Sequence, residues 1–190
     1  MTRPDKGLRL FGVEDGSFRA FYETEFSHAI FCGVETEDDV IRKVRLTKIQ
    51  VDGFDATERL IGILEGVEVD AIILGGITFA GFNIVDPKII FQSGGMPLIV
   101  FSGKKPDNEK MLRALKNHVP DWRDRWQIIE GLGPVHSIRP RSGDSPIYFE
   151  AIGGSCEWAE NILRRSAIIG RTPEPVRVAG LIARGLSPVS

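Results

Sequence analysis

Five carboxylates in the first third of the chain fall where strands and helices should begin or end. Glu14 and Asp15 close the run "LRLFGVED", Asp52 precedes Gly53, and Asp55 and Glu58 open an apolar stripe. Carboxylates brought together at such places bind Mg²⁺ or Mn²⁺ through oxygen. Two such ions about 3.5–4 Å apart activate a water and steady the leaving oxygen of a phosphodiester. Each residue also has a plainer reading. Asp55 and Glu58 have the spacing of a helix N-cap and its capping-box partner, and Asp15-Gly16 and Asp52-Gly53 are turn dipeptides. Turn chemistry leaves Glu14 beside Asp15 unexplained, because like charges crowd each other unless a cation or solvent separates them.

The elements that must position these residues follow from the apolar pattern. Leu8 to Glu14 reads as a strand closed by Gly16-Ser17, His28 to Thr36 as a second, and "KVRLTKIQVDG" as a third, three strands joined as an antiparallel meander. "DATERLIGILEGV" carries Leu60, Ile61, Leu64 and Val67 on one helical stripe. Ala71 to Leu74 is a continuous apolar run stopped by Gly75-Gly76, the pattern of a strand buried on both faces. "FNIVDPKIIFQSGG" reads as partly helical with Pro87 interrupting or restarting it, and "MPLIVFSG" as a further buried strand. Helix "DNEKMLRALKNH" comes next, then the short helix "DWRDRWQIIEGLG" and one or two irregular strands in "VHSIRPRSGDSPIYFEAIG". Ser155 caps the helix "CEWAENILRRSAIIG", and Thr172-Pro173 opens the last one with proline at its first position.

Three antiparallel strands, a helix, then alternating parallel strands and helices is the order of the ribonuclease-H-like α/β fold, a mixed sheet with helices on both faces. In it the tip of the first strand, the helix after the meander and the end of the fourth strand converge. A Rossmann arrangement fits worse, since it needs a glycine-rich turn from the first strand into a helix and here the turn leads to another strand.

With those elements in place, "LFGVEDGSF", "IQVDGFDATE", "ILGGITFAGFNIVD" and "PEPVRVAGLIARGLS" resemble an archaeal family grouped as the domain of unknown function ninety-nine, along nearly the whole chain from Leu10 to Ser187. That family is in turn similar, at greater distance, to endonuclease V, which nicks nucleic acid near deaminated purines with a divalent metal. The resemblance implies one endonuclease-V-like domain over residues 1–190, acting on DNA or RNA with Mg²⁺ or Mn²⁺. Gly12-Val13-Glu14 falls on the Gly-Val-Asp pattern of the first strand, which makes Glu14 the first metal ligand and Asp15 its neighbour. Asp52-Gly53-Phe54 resembles a Pro-Gly-Phe pattern leading to a helix glutamate, and Glu58 lies within one position of that glutamate. Lys104 in "PLIVFSGKK" falls within one position of the family's lysine and would steady a phosphate; its plainer reading is a solvated loop lysine. One departure stands out. Endonuclease V ends its central strand with an Asp-Gly pair, and Gly75-Gly76 takes that place here. A bridging ligand is therefore missing: Asp52 or Asp55 substitutes for it, or one metal binds, or none does. A catalytically inactive nucleic-acid-binding or interaction module on the same fold is the alternative, and a small-molecule enzyme using the glycine-rich turn from Gly75 to Gly81 is a third option.

The softer signals have structural readings beside them. The amides of "GGITFAGF" could take a phosphate or a base edge, or its glycines could serve close packing. Thr78 and Asn83 are weak ligand types, and Asp86 suits a local cap. Trp122 and Trp126, with Arg123 and Arg125 between them, could stack bases, although four-residue spacing is the mark of a core stripe. His28, His118 and His136 fall in separate elements without metal or triad spacing. Cys32 and Cys156 show neither a zinc pattern nor a disulfide framework. A helix start at Ser155-Cys156 could depress the thiol, yet a lone buried cysteine is the simpler reading.

Bulk properties agree. The 190 residues are 42% hydrophobic, enough for one core, and the net charge of −2 lacks the footprint of a strongly basic nucleic-acid binder. The first hundred residues carry −6 and the rest +4, which suits an acidic site beside a basic flank as well as scattered solvated charge. No apolar stretch has the length of a membrane span and no secretory leader is visible, so a soluble cytoplasmic protein is expected.

Overall fold

Strand β1 (Arg9–Asp15) is flanked on one side by antiparallel β2 (His28–Glu37), which pairs with the edge strand β3 (Val40–Gln50). The chain then crosses through α1 (Ala56–Ile63) to β4 (Ala71–Leu74), parallel to β1, and through a small hairpin, β5 (Thr78–Phe79) and β6 (Asn83–Ile84), and α2 (Pro87–Gly94) to β7 (Leu98–Ser102), parallel to β4. Helices α3 (Asn108–His118) and α4 (Trp122–Glu130) lead to β8 (His136–Ile138) and β9 (Ile147–Ile152), and α5 (Cys156–Ser166) and α6 (Glu174–Leu186) end the chain. The sheet runs β3-β2-β1-β4-β7-β9-β8 in this computed structural model, which describes residues 7–18 and 28–187. The meander followed by parallel crossovers matches the order read from sequence.

Successive side chains of a strand point to opposite faces, and β1 uses both. Phe11 and Val13 join Ile72, Leu74 and Val100 beneath Leu60 of α1 and Ile90 of α2, whereas Leu10 joins Ile73, Ile99 and Phe149 beneath Leu163 of α5 and Val176 of α6. Cys32 and Val34 of β2 continue the second face against Ala179 and Ala183 of α6. Every residue of β4 is buried, as expected of a central parallel strand. On edge strand β3, by contrast, Val44 and Leu46 are exposed and Ile49 is buried, so its alternation marks a half-covered edge.

Two segments differ from the sequence reading. Asn83-Ile84 is strand rather than helix, because Asp86 caps α2 with its side chain on the N–H groups of Lys88 and Ile89 and Pro87 fits only the first turn. The stretch after α4, read as one or two irregular strands, agrees with that reading and forms two, with β9 antiparallel to β7. The last helix begins at Glu174, and Pro173 is its N-cap rather than its first residue. Among the described residues no helix is long and apolar enough to cross a membrane.

Candidate functional site

Parallel β1, β4 and β7 bring their C-terminal ends to one edge of the sheet, and β1 delivers Glu14 and Asp15 there. Gly75, which follows β4, donates its N–H to the Val13 carbonyl at 2.9 Å, so it lies beside the acidic pair. A Cβ on Gly75 would overlap Glu14 Oε2. The Glu14 carboxyl thus fills the space over the central strand's end, the place where a side chain at position 75 would project. It also lies against α6 at Gly180 and near the Arg184 charge. Burial first, and the Asp15 charge second, push the Glu14 carboxyl up to about 8; the Asp15 N–H, 3.3 Å from Glu14 Oε1, and Arg184 act the other way. Side-chain hydrogen bonding with Asp15 adds to the upward push on Glu14.

Asp15 and Asp52 both grip the β5–β6 hairpin. Asp15 Oδ2 accepts the Ala80 N–H at 2.5 Å, and Asp52 Oδ1 accepts the Phe82 N–H at 2.9 Å. The Asp52 N–H in turn donates to the Ala80 carbonyl at 2.9 Å. Asp52 and Ala80 have φ of 54° and 44°, left-handed conformations that are costly for residues with a Cβ and concentrate at functional sites. Gly81, at φ 87°, lies where a Cβ would overlap Asp52 Oδ1. These bonds occupy the Ala80 and Phe82 amides that the sequence offered as a phosphate cradle, and the glycine turn enters a hairpin rather than a helix.

Arg125 holds this loop from behind. It is 3% exposed, and its Nη1 donates to the Gly53 carbonyl at 2.8 Å and to that of Phe82, while Nη2 reaches the Asp52 carbonyl at 3.1 Å. Nε and Nη2 also form a paired contact with Asp121 at 3.0 Å each, the two-pronged geometry that suits a guanidinium. The Phe54 ring lies 5.0 Å from its charge centre. In the sequence this arginine reads only as a base-stacking partner. The missed signal was its spacing: 122, 125, 126 and 129 make one helical face, and Arg125 sits among Trp122, Trp126 and Ile129, of which the tryptophans pack into a small core with Leu115. The core reading of the tryptophans fits.

The other candidates are placed apart from Glu14. Asp55 does not cap α1 with its side chain; its Oδ1 accepts from the Gln50 N–H at 3.1 Å and from Asn83 Nδ2 at 2.7 Å, and its Oδ2 faces Arg59. Burial acts to raise this carboxyl, and the bonds from Asn83, Gln50 and Arg59 outweigh it and hold it below its usual range. With both oxygens engaged it is a structural bracket. The cap comes from Asn83, whose Oδ1 accepts the Ala56 N–H at 3.0 Å while its Nδ2 also reaches the Gln50 carbonyl at 2.8 Å. Fully buried Asn83 therefore joins β3, α1 and β6. Asn83→Ala should cost about 2 kcal/mol in urea denaturation through its unpaired partners, and Asn83→Asp more. Glu58 is exposed in the first turn of α1 and does not close a capping box. Lys104 is exposed after β7, two strands from β1 at the same sheet edge. Among the described residues no three His, Cys, Asp or Glu side chains gather as a ligand group. Asp52 shares the hairpin with Asp15 rather than completing a trio with Glu14. Cys156 begins α5, and burial and Glu160 push its thiol up, not down.

Residues 6–187 match the model of the family described as endonuclease dU. The UPF0215 protein of Methanothermobacter thermautotrophicus is 36% identical over 186 residues, 95% of this chain and 88% of that protein. A protein of unknown function from Archaeoglobus fulgidus has a crystal structure that superposes with TM-score 0.79 at 31% identity, covering 93% of this chain and 96% of that one. Endonuclease V of Ciona intestinalis, solved with a 24mer DNA containing an inosine followed by a ribo-adenosine, superposes with TM-score 0.59 at 13% identity, covering 96% and 86%. That last likeness shows the ribonuclease-H-like fold.

Proposed function

The chain belongs to the endonuclease dU family, and from that membership and the paired carboxyls at the tip of β1 we propose that it hydrolyses phosphodiester bonds in DNA or RNA with a divalent cation, Mg²⁺ or Mn²⁺. The observation that carries the reading is the adjacency of Glu14 and Asp15 at the C-terminal tip of β1, with the Glu14 carboxyl lying over Gly75 where the central strand ends. Two adjacent carboxylates present to a cation the negative charge it would neutralise. They suit Mg²⁺ in particular, which is commonly held by one or two carboxylates together with phosphate oxygens of the substrate. A bound cation would lower the pKa of a water and offset charge on the scissile phosphate. Within the chain, Glu14 and Asp15 would hold the cation, Arg184 would limit the charge on Glu14, and Asp52 and Arg125 set the hairpin to which Asp15 is tied. Lys104, at the same edge, reaches toward the strand's phosphates. Asp55 serves the fold in this scheme.

Calorimetric titration of Mn²⁺ into the wild type, Glu14→Gln and Asp15→Asn tests the site. Saturable binding abolished by both substitutions and retained by Asp55→Asn supports it. Nicking assays on DNA containing deoxyuridine, DNA containing inosine, undamaged DNA and RNA then define the substrate, with deoxyuridine first because of the family's description. An inactive nucleic-acid-binding module is the second reading, favoured by the lack of a three-carboxylate group among the described residues. Folded wild type that binds a strand and neither binds Mn²⁺ nor nicks any of these substrates would establish it.

A further inference from the structure

The last turn of α6 packs against the tip of β1: a Cβ on Gly16 would overlap Ser187 Oγ and the Ala183 carbonyl. Between those two residues stands Arg184, on the exposed side of the helix. Side chains of a helix lean toward its N-terminus, so residue 184 lies over residue 180, one turn back. Position 180 is a glycine buried in the middle of α6, where glycine weakens a helix relative to alanine. Its use is visible in what a Cβ there would meet. Arg184 Nη1 and Nη2 stand 2.9 and 3.0 Å from that point, and Glu14 Cγ stands 3.0 Å from it. Gly180 is therefore the slot in which the Glu14 stem and the Arg184 guanidinium come together. The donors of that guanidinium are open. Arg177 on the same helix spends its fork on Glu174, whereas among the described residues no carboxylate or carbonyl accepts from Arg184. A cation is favoured near a helix C-terminus, but an arm extended into solvent would serve that role as well as one laid over Gly180 beside a carboxyl.

We propose that Arg184 is a phosphate-binding residue, whose guanidinium takes two oxygens of one phosphate of a nucleic-acid strand at the tip of β1, beside Glu14 and Asp15. The chemistry agrees: a planar fork of N–H donors matches a pair of phosphate oxygens. Electrostatics agree as well. Asp15, and Glu14 once it ionises, oppose the approach of a phosphate, and a cation of the chain at the same place offsets them. The donor set points the same way. Among the described residues no third ligand-type side chain gathers with Glu14 and Asp15, so part of the positive charge that this site can set against a phosphate comes from a side chain. The inference rests on the nucleic-acid reading above and adds to it the group that holds the phosphate.

The test uses the full chain in EDTA and an undamaged, fluorescently labelled single-stranded DNA of ~12 nucleotides, with anisotropy followed between ~50 and ~200 mM salt. Wild type is compared with Arg184→Gln, Arg184→Lys and Arg42→Gln, the last a charge on edge strand β3 that is paired with Glu37. Arg184→Gln should bind ~5–10-fold more weakly at ~50 mM salt, with a slope of log K against log salt shallower by ~0.7, the share of one phosphate contact on a single strand. Arg184→Lys keeps the charge without the fork, so it should keep the slope and lose ~2–3-fold in affinity. Arg42→Gln should change neither. Every variant should keep the wild-type Tm, because both arginines are exposed. Unchanged affinity and slope in Arg184→Gln, or an equal change in Arg42→Gln, overturns the proposal, and a folded wild type that binds no strand removes the nucleic-acid reading and the proposal with it. A protein that binds the strand through Arg184 and nicks no substrate would remove the nuclease reading and keep the phosphate site. Nicking with unchanged kcat and KM in Arg184→Gln would keep the nuclease and remove the site.

Discussion

Arg125→Met is expected to lower the stability of the fold by about 3–5 kcal/mol, the range for removing one partner from a buried ionic network. The side chain is nearly inaccessible and satisfies three backbone carbonyls, those of Asp52, Gly53 and Phe82, which belong to two loops far apart in sequence. Methionine matches much of its apolar stem and none of its donors. Each carbonyl left unpaired and buried costs ~1–3 kcal/mol, while Asp121, partly solvated, loses less. Arg125→Lys should recover little, because one ammonium cannot span the fork that reaches Asp121 on one side and the two loops on the other. Urea denaturation of the three proteins measures the loss; a change below ~1 kcal/mol for Arg125→Met would refute this account of the loop, since that is the scale of an ordinary surface substitution. The effect extends to the site. With the clamp gone, Asp52 loses the support that keeps it at φ 54°, and the hairpin amide bound by Asp15 is no longer fixed. Mn²⁺ affinity should therefore fall in Arg125→Lys as well, even at temperatures where the variant remains folded.

Local pattern made much of this protein legible before its coordinates. The all-apolar run from Ala71 to Leu74 announces a central strand, and the glycines after it announce its end, because those signals depend on residues next to one another. Glu14 beside Asp15 stood out for the same reason: adjacency is visible in a string. What was hidden depends on the third dimension. Asp55 has the residue type and spacing of a cap, and the cap is nevertheless made by Asn83, twenty-eight residues on, since the hairpin brings a side-chain amide that satisfies Gln50, Asp55 and Ala56 together. Gly75 read as a lost ligand. In the fold it is the vacated space that the longer Glu14 side chain reaches into, so the glycine and the glutamate are two parts of one packing solution. Arg125 and Glu150 were obscured in a related way, as charged residues at positions where helix or strand period places core.

Glu14→Gln should have two effects of opposite kind, a gain in stability at alkaline pH and a loss of metal binding. The sign follows from proton uptake. In the metal-free fold the carboxyl titrates at about 8, against 4.5 for the ordinary group, so between those values the native state holds a proton that the unfolded chain has released. Stability contributed by this proton is complete below about 4.5 and drains away as pH rises toward 8, at up to ~1.4 kcal/mol per pH unit. Glutamine remains neutral throughout and removes that slope. Glu150, raised to about 7, contributes a slope of the same sign and remains in the variant, so the pH dependence should shrink without vanishing. Saturating Mn²⁺ should reverse the wild-type behaviour: the cation displaces the Glu14 proton, binding strengthens as pH rises, and the protein becomes more stable at pH 8 than at pH 6 relative to its metal-free state. Glu14→Gln should show no such gain and no nicking. Thermal denaturation of both proteins across pH 5–9, with and without Mn²⁺, reads every part of this. Parallel curves for wild type and variant without metal would show that Glu14 is ionised in the native state and would overturn the pH dependence assigned to its burial.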